Sequence, residues 1–197
     1  MSTSDSKSKS TLGFLTVVAH QQYGLFGGYL LLNAAGRPLE FHCTAPIKPN
    51  RAQEILYGPT LEAFLYGEQI GQTLIRQSKV TPMVVCTDRE ATLAAREFVS
   101  MPLALVLPPV AATAAADSQD EAPANFTGKT FRLDAAHRGP RLVTFELGRN
   151  RLALPDRAEE DRRLIQEQLA ELAETFDLAE PFQRIREAIE EAQQAVR

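Results

Sequence analysis

The chain carries two thiols, Cys43 and Cys86, and three imidazoles, His20, His42 and His137. Thiol hydrolysis needs a thiolate, a base within hydrogen-bond reach and a third group that orients the base. Leu39-Glu40-Phe41-His42-Cys43-Thr44 alternates in polarity, the period of a strand with one buried face. That period predicts Leu39, Phe41 and Cys43 on the buried face, with Glu40, His42 and Thr44 on the other. Adjacent His42 and Cys43 then point apart, which leaves His20 as the imidazole open to Cys43. Cysteine usually behaves as a small buried hydrophobe, so packing is the stronger expectation for both thiols.

Asp88 ends the stretch Pro82 to Asp88, where open α/β sheets bind ligands. It is also placed to cap a helix from Arg89 to Phe98, and that is the role expected of it. His20, His42, Cys43 and Asp88 are thus the catalytic candidates. His20, His42, Cys43 and Cys86 have the donor types of a zinc site but lack CxxC or HExxH spacing, so neither a metal nor a cofactor is expected. Gly24, Gly27 and Gly28 fit neither GxGxxG nor GxxxxGK[ST], and they are expected in a loop joining two strands.

The elements that must position these groups follow from periodicity. Leu12 to Ala19 is a short branched and aromatic run, expected as a strand buried on both faces, and Tyr29 to Asn33 resumes the pattern. With the strand of residues 39–44 they make an antiparallel meander. His20, Tyr23, His42 and Cys43 then meet at one edge, followed by Lys48, Arg51 and Glu54. Tyr23, Lys48, Arg51 and Glu54 are the binding candidates there. Asn50 is expected to cap a helix from Arg51 to Tyr57, and Thr60 a second one containing Gly67 and Gly71, whose glycines imply close helix packing. Pro82 to Asp88, Arg89 to Phe98 and Pro102 to Pro108 read as a βαβ unit.

A hairpin of Thr130 to Leu133 with Leu142 to Leu147 follows, then two helices capped at Asp156 and Asp177. Ile165, Leu169, Leu172 and Phe176 form one heptad seam; Phe182, Ile185, Ile189, Ala192 and Val196 form another. The expected fold is therefore α+β. An N-terminal mixed sheet, a meander plus a βαβ unit with packed helices, precedes a hairpin and a C-terminal helical pair. The expected divisions are a disordered tail over 1–11, a core domain over 12–109, a flexible linker over 110–125, and the hairpin with its helices over 126–197.

Composition narrows the function classes. Apolar residues at 44% and charged ones at 23% are globular proportions, so global disorder is not expected. Two cysteines cannot staple a small secreted domain, and no apolar stretch follows the first residues, which points to a reducing cytoplasm. No uninterrupted apolar run reaches the about 18 residues of a membrane span, so no membrane partner is expected. From Asp156 onward there are 12 acids against 6 bases, which puts the net charge of −4 in the C-terminal helices. Lys129 to Arg151 is basic but poor in aromatic residues, so nucleic acid is not expected as a partner.

The leading functional expectation is a cytoplasmic, non-enzymatic binding or assembly protein. Its C-terminal helices would contact another protein or a second copy through Ile165, Leu169, Leu172, Phe176, Phe182, Ile185 and Ile189. The alternative is a small-molecule enzyme, a thiol-dependent hydrolase with its site at His20, His42 and Cys43.

Overall fold

The computed structural model describes residues 11–108 and 141–194. Seven strands form one mixed sheet in the order β3-β2-β1-β4-β5-β7-β6. They are β1 (Thr11–His20), β2 (Gly24–Asn33), β3 (Pro38–Cys43), β4 (Val84–Thr87), β5 (Leu103–Leu107), β6 (Leu142–Leu147) and β7 (Asn150–Pro155). The first three are an antiparallel meander, while β4 runs parallel to β1 and β5 parallel to β4. β7 pairs antiparallel with β5, and β6 antiparallel with β7. The fold is α+β, as the periodicities predict.

Helix α1 (Arg51–Tyr57) leaves β3. A helical run over 58–77, labelled α2, is 3₁₀ over Gly58–Thr60, α over Leu61–Ala63, π over Phe64–Gln72 and α over Thr73–Gln77. The 3₁₀ helix α3 (Glu90–Phe98) links β4 to β5, and α4 (Glu159–Ala173) and α5 (Glu180–Gln194) close the described chain. No helix among the described residues is long and apolar enough to cross a membrane.

Helices cover both faces of the sheet, so the central strands are apolar on both sides. On one face Ile165, Leu169, Phe182, Ile185 and Ile189 pack on Leu12, Phe14, Leu30, Val84 and Cys86. On the other Ile70, Leu74, Ile75 and Leu93 pack on Leu15, Val17, Tyr29, Leu31 and Val85. The seams of α4 and α5 thus lie inside the fold, with Leu172 and Phe176 partly buried beside them.

The glycines expected in a loop lie in β2 instead. A Cβ on Gly27 would collide with Ile70 of α2, and one on Gly28 with Ile185 of α5. Glycine here lets a helix approach the same strand from each side, which outweighs its weak strand propensity. Gly67 and Gly71 play the expected part in α2: a Cβ on Gly67 would lie 2.6 Å from Ala94 of α3, and one on Gly71 3.1 Å from Ala95.

Several caps differ from expectation. Asn50 does cap α1, in a reciprocal box with Gln53. Thr60 makes no cap and donates its hydroxyl to Tyr57 O instead. α4 starts after Ala158 without a side-chain cap, so Asp156 with Glu159 is no capping box. Asp177 accepts from the Ala179 N–H just ahead of α5.

The partner of Leu142–Leu147 is β7, across the two-residue turn Gly148-Arg149, where Gly148 has φ +55°. The strand expected at Thr130 to Leu133 lies outside the described residues, as do the tail expected over 1–11, apart from Thr11, and the linker expected over 110–125. Asn150 ties the hairpin to the helices: its amide donates to Ala173 O and Phe176 O, and its Oδ1 accepts from Leu178 N–H.

Candidate functional site

β3 is an edge strand, and its faces are the reverse of those predicted. Leu39 (48%), Phe41 (39%) and Cys43 are exposed, while Glu40 and His42 are half-buried. Alternation holds, so His42 and Cys43 do point apart. The register pairs Phe41 with Leu30, which faces α5, and His42 with Tyr29, which faces α2. Polar Glu40 and His42 stay on the α2 side because partners wait there. Glu40 accepts from Ser78 Oγ at 3.0 Å, Lys79 N–H at 3.1 Å and His42 Nε2 at 2.9 Å. Burial pushes the Glu40 carboxyl up, but those three hydrogen bonds outweigh it and hold the group below the ordinary carboxylate range.

On the α5 side, the end of β3 opens on a cavity of about 470 Å³ lined by Tyr23, Phe26, Cys43, Thr44, Pro46, Ile189, Ala192 and Gln193. Its lining is mostly apolar, and its size lies within the range of about 300 to 1,000 Å³ usual for small-ligand pockets. The chain after β3 builds one wall by continuing along β2. Thr44 donates its N–H to Gly27 O and accepts Gly27 N–H on Oγ1, and Ile47 exchanges two bonds of 2.8 Å with Leu25. The last turns of α5 form the opposite wall.

The predicted site residues divide by this geometry. Tyr23 and Cys43 line the cavity, and the His20 ring sits 4.7 Å from the Tyr23 ring beside it. His20 Nδ1 accepts from Gln22 N–H at 3.2 Å and Tyr23 N–H at 3.3 Å, so the neutral ring carries its proton on Nε2. Lys48 donates to Gln22 O, pinning the β1–β2 turn rather than facing the cavity. Arg51 and Glu54 form an exposed pair on α1 at 3.0 Å.

Cys86 is buried within β4, where desolvation pushes its thiol up to about 12, and it is not brought to Cys43. Asp88 does not cap α3, whose N-cap is Arg89; it accepts instead from Arg186 of α5. Phe26, Thr44, Pro46 and Gln193 were not singled out from the sequence. Ile189 and Ala192 were visible as the α5 seam, and a seam running on beyond the sheet is the signal that leads to the cavity.

No family model matches the chain, and no curated protein matches it. Among solved structures it is similar to the X-ray crystal structure of Marinitoga piezophila Argonaute in complex with 5' OH guide RNA. Identity is 15% and the TM-score 0.29, over 51% of this chain and 16% of that one. The matched part therefore spans under a fifth of that protein.

Proposed function

We propose that this chain is a non-catalytic binding protein that holds another polypeptide at the β3 edge of its sheet. Exposed apolar side chains line it. Leu39 and Phe41 on β3 are exposed, and so is Tyr23 in the β1–β2 turn at the cavity beside the end of β3. Apolar surface clustered at one edge marks a contact site more often than scattered residues do. An edge strand also presents unpaired main-chain groups that an extended chain can satisfy. The adjoining cavity supplies a socket for a partner's side chain.

The C-terminal helices enter this reading through the last turns of α5, since their stripes pack on the sheet. The setting is the cytoplasm, where both free thiols stay reduced. Thiol hydrolysis would need a base on Cys43. His20 Nδ1 is engaged by two main-chain N–H groups, and His42 is bonded to Glu40 on the opposite face.

The test is fluorescence anisotropy with labelled extended peptides that alternate apolar and polar residues. Binding that is lost in Phe41→Lys, with the circular dichroism of the folded protein retained, supports this function. Absence of peptide binding together with absence of self-association removes it.

A further inference from the structure

We infer that the occupant of the β3 edge is a second copy of this chain, paired antiparallel through β3 with the two-fold axis at Phe41. This rests on the binding reading above and adds the partner and its register. Thr44 N–H bonds inward to Gly27 O. Antiparallel ladders alternate, so with the register Gly28–Cys43 and Leu30–Phe41 the main-chain groups of Cys43 and Phe41 turn outward to the open edge. The ladder pairs Leu31 with Glu40 and Leu32 with Pro38, leaving Leu39 as a bulge. A bulge blunts an edge, and this one leaves Glu40 to Cys43 as the straight run able to pair.

Charge selects the register within that run. An axis at Glu40 sets two carboxylates against each other, and one at His42 sets two imidazoles. An axis between neighbouring residues pairs an apolar position with a polar one and mixes the two faces. An axis at Phe41 places Glu40 of one copy opposite His42 of the other, twice, in the closely spaced non-hydrogen-bonded positions where cross-strand side chains interact most. Within each copy Glu40 and His42 already lie 2.9 Å apart, so the four groups form an alternating acid–base row on the α2 side. On the α5 side Phe41 meets Phe41, and the exposed, bulged Leu39 of one copy lies past the paired run towards Cys43 of the other, at the wall of the cavity. The contact is self-complementary, as a two-fold interface requires.

Sedimentation velocity across a hundredfold concentration range, with disulfide trapping, tests this. The full chain should shift from monomer to dimer, and Phe41→Lys should remain monomeric while keeping its circular dichroism. In a Cys43→Ser background, Phe41→Cys should give a covalent dimer under mild oxidation and Ile55→Cys should not. Wild-type Cys43 should not crosslink to its twin, because the register sets the two four residues apart, about 13 Å at roughly 3.3 Å per residue. A chain that stays monomeric, or that crosslinks equally at both engineered positions, overturns the dimer. If the monomer still binds alternating peptides in a Phe41-dependent way, the binding function stands without it. If peptides also fail, both are lost.

Discussion

The Arg186 guanidinium on α5 donates to the Asp88 carboxylate at the end of β4, tying the last helix to the centre of the sheet. Asp88 is mostly buried, and its second oxygen, Oδ1, is buried with no hydrogen-bond partner among the described residues. Arg186 therefore offsets part of the cost of burying that carboxylate. Arg186→Met should lower stability to urea by about 1 to 3 kcal/mol, the figure kept modest because the guanidinium is about one-third exposed. Asp88→Asn in the same background should restore much of the loss. Wild-type stability in Arg186→Met alone would show that the pair does not fasten α5.

Gly28 poses the same question about helix contact in steric terms. A methyl group there would strike Ile185, with Ile189 Cδ1 only 2.9 Å away. Gly28→Ala should therefore cost about 1 to 3 kcal/mol through overpacking, and Ile189→Val, which removes the Cδ1 methyl, should recover part of it. A thermally silent Gly28→Ala would mean that α5 sits farther from β2.

These two contacts also show where local reading of the sequence stops. Hydrophobic periodicity, of two in the strands and of three to four in the helices, locates the meander, the βαβ unit and the α4 and α5 seams, because it reports which residues share a face. It placed β2 wrongly since the compensation for Gly27 and Gly28 lies in Ile70 and Ile185, far away in sequence. It separated His42 from Cys43 correctly, yet parity alone does not say which face a helix layer covers at an edge strand. The cavity was half legible: Tyr23 and Cys43 fell at the expected edge, whereas Pro46 and Gln193 arrive through tertiary packing that no local pattern encodes. Asn150 acts as a three-bond tie only because the α4–α5 connection folds over it.

Glu40 gives the acid limb of stability a specific origin. Its folded pKa is depressed from the ordinary 4.5, so ionised Glu40 stabilises the fold above that value. The contribution is lost as the pH falls below 4.5 and through the folded pKa. Thermal melts should show Glu40→Gln less stable than wild type near neutral pH, with the gap closing under acid conditions. A gap independent of pH would mean that the introduced amide disturbs packing and that the charge is not what His42, Ser78 and Lys79 recognise.

The two thiols should react very differently. Cys86 is fully buried with its pKa pushed up to about 12, whereas Cys43 is exposed beside the cavity. A thiol reagent at neutral pH should modify one equivalent in the folded protein, and the second only after denaturation. Cys43→Ser should cost less than about 0.5 kcal/mol, as a surface change does, while Cys86→Ser should cost about 1 to 3 kcal/mol from an unmatched buried hydroxyl. Modification of both thiols at one rate in the native state would contradict the placement of β4. Concentration adds a second reading, because pairing of two β3 edges brings the partner strand alongside Cys43 and shields the thiol. Cys43 labelling should then slow as the protein is concentrated and quicken on dilution, and in Phe41→Lys it should stay fast at every concentration.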